Sequence, residues 1–413
     1  ETPEDPPSET PEDPPSETPE DPPSETPEDP PAETPVMSPP EASVLLGRPT
    51  DNAITINALY NESLDVYAEY GFSGGDLYLE TDVYTAADGV PLEILIEGLD
   101  ADTTYDYRLM TKSTSQTEYI AGEVNSFTTQ RIPGSEFNFS VFADSHSSLY
   151  YENGATPKLN EYADTLAIAA ADEPDFFIDL GDTIWALDAN RDYDGDEVDA
   201  KIVEYNVINR SYYDIIGRCA PLYFVLGNHE GEQGWNSTLA ATANAARTLY
   251  YPNPRPNDFY TGNDEESYYA WEWGDALFVA IDPYTYSTSH SMQSEDNWDF
   301  TLGRTQYDWL KETLETSTAT FKFVFSHQLV GGYDNYGRGG IEAAYDYEWG
   351  GQNADGTWGF DSKRPGWGDP IHQILVDNNV NIFFHGHDHT FYYQELDGIV
   401  YQECPQPSDL SLS

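Results

Sequence analysis

The stretch PLYFVLGNHE at residues 221–230 indicates how most of this chain folds. Its first six residues form the apolar run of a buried strand, and glycine, asparagine and histidine follow at once. Similar runs precede most of the other short motifs that are rich in histidine and aspartate: Asp144-Ser145-His146, Gly181-Asp182, Ser326-His327 and His385-Gly386-His387-Asp388-His389. These five motifs hold six of the eight histidines. Because imidazole, carboxylate and amide groups are common ligands of metal ions, the pattern predicts metal-dependent chemistry.

The apolar runs alternate with segments of helical periodicity from about residue 136 onward. Core strands are predicted at 136–143, 175–180, 221–226, 276–281, 321–325 and 380–384. Helices are predicted between them at 158–171, 201–216, 303–316 and 370–378. This alternation is typical of an α/β domain, with sheets covered by helices, which we place at 135–413. Five of the six strands end where a motif begins, and functional groups of α/β sheets gather at the carboxyl ends of strands.

An all-β sandwich is predicted before this domain, at residues 41–131. Short alternating runs at 53–57, 64–70 and 76–80 are bounded by glycine, asparagine and aspartate, as sandwich strands are. The segment 96–108 resembles the tyrosine corner of fibronectin type III domains, in which Tyr105 would tie its hydroxyl to upstream backbone. The segment has no histidine and no cysteine, so we assign it no chemistry.

Residues 1–40 form an acidic, proline-rich repeat. ETPEDPPS occurs at residues 1, 9 and 17, and two decayed copies follow. Proline removes backbone donors and the acids repel one another, so we expect a disordered, extended segment without a packed core. One hypothesis is a tether that holds the folded part off a cell surface, and the other is a tail without a partner.

Composition narrows the possible partners. The formal net charge of the 413 residues is −58, and the first 33 residues carry 13 of the negative charges. Such a chain repels nucleic-acid polymers and anionic membranes, and no apolar run reaches the length of a transmembrane segment. We expect a secreted, periplasmic or cell-surface protein, with Cys219 and Cys404 either disulfide-bonded or buried thiols.

The five motifs, in this order, resemble those of the calcineurin-like metallophosphoesterases. The resemblance covers about residues 138–390, and the preceding sandwich resembles the layout of purple acid phosphatases and their bacterial relatives. It implies two metal ions that share Asp182. The first ion would be held by Asp144, His146, Asp182 and His389, and the second by Asp182, Asn228, His327 and His387.

The resemblance also implies the reaction. A hydroxide that bridges the two metals would attack a phosphomonoester in line, and His229 would protonate the leaving group. Asp182 and Asn228 would act with His229 in catalysis, and Zn, Mn or Fe would suit the nitrogen and oxygen ligands. Purple acid phosphatases carry an iron-binding tyrosine three residues after the bridging aspartate. Trp185 stands there in this chain, which predicts a site that is not purple.

Several other residues receive weaker predictions. Residues 188–199 are spaced like the start of a calcium loop, but Lys201 stands where a calcium-binding glutamate is needed, so a solvated acidic loop is favoured over a calcium site. Arg338 lies in a long loop and is a candidate for binding the substrate phosphate. His290 and His372 are expected to be structural or at the surface, and His385 to pack behind the metal ligands.

Two alternatives to a phosphomonoesterase remain open at this point. One is a phosphodiesterase or nucleotide hydrolase with the same site. The other is an extracellular structural protein in which the sandwich and the repeats carry the function and the phosphatase fold serves as a scaffold.

Overall fold

The predicted sandwich consists of two facing antiparallel sheets in the computed structural model, which describes residues 42–186, 196–288, 297–332 and 339–408. Its strands are β1 (Ala42–Gly47), β2 (Ala53–Tyr60), β3 (Leu64–Phe72), β4 (Leu79–Glu80), β5 (Tyr84–Ala86), β6 (Leu92–Glu97), β7 (Thr104–Ser113), β8 (Ile120–Ala121) and β9 (Asn125–Thr128). One sheet has the order β1-β2-β6. The other has the order β4-β3-β7-β8, with β5 on β3 and β9 on β7.

Alternating side chains of β7 fill the space between these sheets. Tyr105, Tyr107 and Leu109 are buried and their neighbours in sequence are not, as the two-residue period of a strand requires. The hydroxyl of Tyr105 accepts a hydrogen bond from the backbone N–H of Asp100 at 2.9 Å. The tyrosine corner is therefore confirmed, while the closer resemblance to fibronectin type III domains stays a prediction.

The remainder of the described chain is an α/β region. Its strands are β10 (Phe139–Phe142), β11 (Phe176–Asp179), β12 (Leu222–Phe224), β13 (Thr261–Gly262), β14 (Tyr269–Trp273), β15 (Ala276–Ala280), β16 (Phe321–Phe325), β17 (Ile382–His385), β18 (Tyr392–Leu396) and β19 (Ile399–Glu403). Its helices are α1 (Ser147–Glu152), α2 (Thr156–Ala171), α3 (Asp196–Gly217), α4 (Ser237–Tyr250), α5 (Gly303–Thr316), α6 (Tyr347–Gly350), α7 (Phe360–Lys363) and α8 (Ile371–Asp377), with a 3₁₀ turn at Asn297–Asp299.

Two sheets lie face to face in this region and helices cover their outer faces. The parallel strands β10-β11-β12 form the smaller sheet, and the larger has the order β13-β14-β15-β16-β17-β19-β18. Phe176 and Phe278 pack between the sheets, 5.2 Å apart between ring centroids. On the outer faces, Phe177 packs against Tyr213 of α3, and Val324 lies in the same cluster as Leu310 of α5. The fold prediction of an all-β sandwich followed by an α/β region is confirmed.

Several elements were missed by the sequence patterns. Helix α4 was not predicted: its buried residues are Leu239, Ala243, Ala246, Arg247 and Tyr250, of which two are alanine and one is charged. Strand β4 keeps only two residues of the predicted run at 76–80, and both are exposed. Strands β14, β18 and β19 were also not predicted.

The sandwich packs directly on the α/β region, and both belong to one compact unit. Arg210 of α3 is fully buried and donates hydrogen bonds to the backbone carbonyls of Ser43, Asn57 and Tyr250. The hydroxyl of Tyr107 donates to the carbonyl of Arg218 at 2.7 Å. The predicted domain boundaries, 41–131 and 135–413, stay predictions.

Cys219 and Cys404 are free thiols and not a disulfide; Cys404 is buried, as predicted for a thiol, whereas Cys219 is half-buried. In the described ranges no helix has the length and apolar character that crossing a bilayer requires. The repeats at 1–40 lie outside the described residues.

Candidate metal centre

The motif residues meet where strands of both sheets end. Strands β10, β11 and β12 of the small sheet lead into Asp144, Asp182 and Asn228, and β16 and β17 of the large sheet lead into His327 and His387. Because the inner faces of the sheets are packed together, their carboxyl ends form one edge. The rigid strands thus bring together side chains that are distant in sequence, such as those of His146 and His389, which are 243 positions apart.

The backbone of this edge adopts an unusual conformation. The residues with left-handed φ angles here are Asp144 (61°), His146 (46°), Asp182 (56°), His387 (78°) and His389 (64°). Non-glycine residues rarely adopt this region, and such strain gathers at functional sites. These five are all among the seven predicted ligands. The strained backbone at five of the seven predicted ligands therefore marks this edge of the sheets as a functional site.

One group of potential ligands consists of Asp144, His146 and His389. The Nε2 atoms of His146 and His389 lie 3.1 Å apart, and Nε2 of His389 is 3.5 Å from Oδ1 of Asp144. Asp144 and His146 are buried, whereas His389 is about one-third exposed. The other oxygen of Asp144 accepts the backbone N–H of His387 at 2.8 Å, which fixes the carboxylate between two strand ends.

The second group consists of Asp182, His327 and His387, all buried. Nε2 of His327 lies 3.2 Å from Oδ2 of Asp182 and 3.2 Å from Nδ1 of His387. The same Nε2 is 3.2 Å from Oδ1 of Asn228, so the amide belongs to this group as well. Nδ1 of His327 faces the carbonyl of Leu180 at 2.8 Å, which directs Nε2 into the centre.

The two groups adjoin. Oδ1 of Asp144, in the first group, is 3.8 Å from Nε2 of His327 in the second. Among the described residues, this Oδ1 is buried without a hydrogen-bond partner. A buried carboxylate oxygen without a donor is costly, and it faces imidazole nitrogens that are potential metal ligands. The donor set of nitrogen and oxygen atoms at these distances fits metal ions.

Burial and charge act in opposite directions on the ionisable groups. Burial raises the pKa of Asp144 well above its usual value. It would raise that of Asp182 also, but the charges of His327 and His229 hold the Asp182 pKa well below its usual value. Burial lowers the pKa of His146 to about 3, so this imidazole is neutral near pH 7 and keeps a lone pair for a metal. The two carboxylates outweigh burial at His327 and raise its pKa to about 10.

The carboxylate of Glu230 accepts hydrogen bonds from the backbone of the loops that form the centre. One of its carboxylate oxygens accepts the backbone N–H groups of Asp182 at 2.9 Å and Gly227 at 2.7 Å, and the other accepts that of Thr183 at 2.8 Å. It thus joins the loops that carry two predicted ligands, Asp182 and Asn228. No role was predicted for Glu230 from the sequence. In the sequence, only its position next to His229 could have indicated a role at the site. The hydrogen bonds of its side chain to the two loops are shown by the fold alone.

His229 lies beside the two groups rather than within them. Its backbone N–H donates to Oδ1 of Asp182 at 2.8 Å, and its Nε2 is 3.9 Å from Oδ2 of the same carboxylate. Its ring stacks on Trp185, with centroids 3.8 Å apart and planes 16° apart. The side chain is partly exposed. An imidazole at this place can exchange a proton with a bound molecule.

The other predicted residues lie elsewhere or outside the described ranges. His372 is buried, with Nδ1 2.7 Å from the hydroxyl of Tyr401 and Nε2 3.1 Å from Asp397, as a structural residue is. His385 is buried at the end of β17 and belongs to neither group. Residues 188–195 of the candidate calcium loop, Arg338 and His290 lie outside the described residues. Residues 196–199 begin helix α3.

The fold and this centre define a class of protein: a two-sheet α/β sandwich with paired metal-ligand groups at the strand ends. A sequence profile of the calcineurin-like phosphoesterases matches residues 137–391, which is more than half of the chain. The chain therefore belongs to the calcineurin-like phosphoesterase family. A search of curated proteins found no match.

Solved structures extend the comparison. A purple acid phosphatase from yellow lupin (Lupinus luteus) seeds is similar with a TM-score of 0.57 and 14% identity, over 88% of this chain. This chain spans 64% of the lupin enzyme, and at this identity the likeness shows a shared fold.

Two weaker matches cover parts of the chain. GAP50 of Plasmodium has a TM-score of 0.35 and 14% identity, over 66% of this chain and 72% of that one. A fibronectin type III domain of a human protein has a TM-score of 0.18 and 18% identity, over 24% of this chain and 92% of that one.

Proposed function

We propose that this protein hydrolyses small phosphate monoesters with two metal ions bound at the strand ends. One observation carries the proposal: two groups of ligands, Asp144-His146-His389 and Asp182-His327-His387, adjoin at one edge of the sheets. Membership of the calcineurin-like phosphoesterases supports the reaction class.

Seven of the residues would bind the metal ions, and His229 would donate a proton. Asp144, His146 and His389 would hold one ion, and Asn228, His327 and His387 the other, with Asp182 shared by both. Asp182 contacts both groups: its Oδ2 lies 3.2 Å from Nε2 of His327, and its backbone carbonyl accepts the N–H of His146 at 3.0 Å. When bound, a pair of metal ions supplies an activated water and neutralises the charge that develops on the phosphoryl oxygens. His229, beside Asp182 and partly exposed, would donate a proton to the oxygen of the leaving group.

The donor set restricts the metals. Imidazole, carboxylate and amide ligands suit Zn, Mn and Fe. Trp185, three residues after Asp182, stacks on His229 and has no atom that binds a metal in its indole. We therefore propose a centre without a tyrosinate ligand at this position. A purified, metal-loaded protein with a strong tyrosinate-to-iron absorption band would contradict this.

A comparison of two substrates tests the reaction. Hydrolysis of p-nitrophenyl phosphate should exceed that of bis-p-nitrophenyl phosphate when Zn, Mn or Fe is supplied. The opposite preference would show a phosphodiesterase. Substitution Asn228→Ala should abolish turnover because it removes an amide ligand, whereas His372→Ala, a buried histidine outside both groups, is the matched control. Unchanged turnover in Asn228→Ala would contradict the assigned site.

The cellular location of the protein is a separate proposal. The net charge of −58 and the acidic repeats motivate a secreted, periplasmic or cell-surface protein whose first 40 residues act as a tether. Labelling of intact cells with an antibody against the folded part tests this location. The structural-scaffold alternative predicts no bound metal, so metal analysis of the purified protein separates it from the enzyme.

A further inference from the structure

Trp185 occupies a position at the candidate metal centre that the proposed reaction does not explain. Its indole stacks face to face on the imidazole of His229, with ring centroids 3.8 Å apart and an interplanar angle of 16°. It also meets the ring of His146 edge to face, at 4.9 Å and 86°. The indole thus contacts one predicted metal ligand and the predicted proton donor.

The indole is held from behind by a small apolar cluster. Trp185 packs against a group of buried side chains from α3, α4 and the loop after β11: Ile184, Ala186, Val198, Ile202, Tyr205, Leu239 and Ala246. Large side chains in such packing lose their freedom to rotate. The packing therefore holds the indole of Trp185 in one orientation, and an imidazole that stacks on this indole is held in one plane.

Asp182 and Trp185 both contact His229. The backbone N–H of His229 donates to Oδ1 of Asp182 at 2.8 Å, and its imidazole stacks on the indole of Trp185. The stacking on the indole therefore restricts the plane of the imidazole.

We propose that Trp185 is a positioning residue that holds His229 in the orientation for protonating the leaving group. This inference rests on the proposed function, since it assumes that His229 is the proton donor. Trp185 acts through His229 and transfers no proton itself. The proton passes from the imidazolium of His229 to the ester oxygen as the bond between that oxygen and phosphorus breaks.

The dependence on the leaving group distinguishes positioning from general damage. An alkoxide leaves poorly without a proton, whereas p-nitrophenolate leaves well without one. Trp185→Ala should lower kcat for an alkyl phosphate about tenfold or more, and kcat for p-nitrophenyl phosphate less than about threefold. KM and the metal content should stay close to those of the wild type.

Matched variants sharpen the test. Trp185→Phe keeps an aromatic face and should restore most of the alkyl phosphate activity, whereas Trp185→Leu, apolar but without a ring, should resemble Trp185→Ala. Trp309→Ala, a partly buried tryptophan of helix α5, controls for the loss of a large side chain. In a His229→Ala background, Trp185→Ala should have no further effect, because the group that it positions is gone.

Failure of the inference and failure of the proposed function give different results. A metal-loaded wild type that hydrolyses no phosphate ester overturns the proposed function. A wild type that is active, with a Trp185→Ala variant that loses the same factor on alkyl and p-nitrophenyl phosphates, overturns the role of Trp185. An additive loss in the Trp185→Ala, His229→Ala double variant does the same.

Discussion

Glu230 stabilises the centre by hydrogen bonds to backbone N–H groups and is not itself a predicted metal ligand. Its buried carboxylate accepts N–H groups from Asp182, Thr183 and Gly227. Glu230→Ala leaves three buried donors without acceptors, each at a cost of about 1–3 kcal/mol. We expect a loss of roughly 3 kcal/mol or more in the free energy of unfolding, and about half of that for Glu230→Gln, which keeps one oxygen acceptor. Urea denaturation measures both, and an Ala variant as stable as the wild type would contradict this support role.

Glu403 makes stability depend on pH. Burial, with the charge of Asp388 next, raises the pKa of the Glu403 carboxyl from 4.5 to about 7. In the folded state this carboxyl keeps its proton at pH values where the unfolded chain has lost it, so the stability that it contributes falls as the pH rises from about 4.5 to about 7. The unfolding free energy of the wild type, relative to Glu403→Gln, should decrease across this range and level off above it. A difference that does not change with pH would contradict the raised pKa.

The ligand residues were predictable because each follows an apolar run in a short polar motif. Asp144, Asn228 and His327 all lie where the sequence placed them, after β10, β12 and β16. The contacts of Glu230 and Trp185 were not predictable. They depend on where a side chain points after a left-handed turn, and on helices α3 and α4 packing behind it. Strand and helix periodicity carry no information on either.

Helix α3 packs on the sandwich, and its residues Arg210 and Asp214 both hydrogen-bond to strand β1. Arg210 is fully buried and donates to carbonyls from β1, from β2 and from the end of α4. Arg210→Ala leaves these carbonyls without donors and should lower the free energy of unfolding by roughly 3 kcal/mol. Arg304→Ala, on the exposed side of α5, should change it by less than about 0.5 kcal/mol.

Limited proteolysis gives a second readout for this interface. If Arg210 holds the two regions together, the Arg210→Ala variant should be cut between the sandwich and the α/β region sooner than the Arg304→Ala control. Equal resistance to the protease would mean that the remaining contacts, such as that of Tyr107 with Arg218, suffice.

Elements with a strong apolar stripe or an uninterrupted apolar run were predicted with the right bounds, whereas others of the same length were missed. Helix α5 and strand β16 have the predicted bounds, because a strong apolar stripe and an uninterrupted apolar run mark them. Helix α4 is rich in alanine, and β14, in which three of five residues are aromatic, lies beside β15 in a hairpin. Their burial is decided by neighbours that are distant in sequence, which no local pattern reports.

The charge of the whole molecule opposes its proposed substrate. A net charge of −58 repels an anionic phosphate ester at long range. Two bound divalent ions would reverse the sign of the field at the centre, where Asp144 and Asp182 are otherwise buried carboxylates. Activity should therefore depend on the metals for binding the substrate as well as for the chemical step.

Metal titration of the chelator-treated protein tests the central claim most directly. Zn, Mn or Fe is added in steps, and hydrolysis of p-nitrophenyl phosphate is measured at each step alongside bound metal. The rate should be negligible at first and should rise until about two ions are bound per chain, as a two-metal centre requires. The Asp182→Asn variant should need more metal and reach a lower rate. Full activity in the metal-free protein, or no hydrolysis with any of the three metals when two ions are bound, would contradict the account.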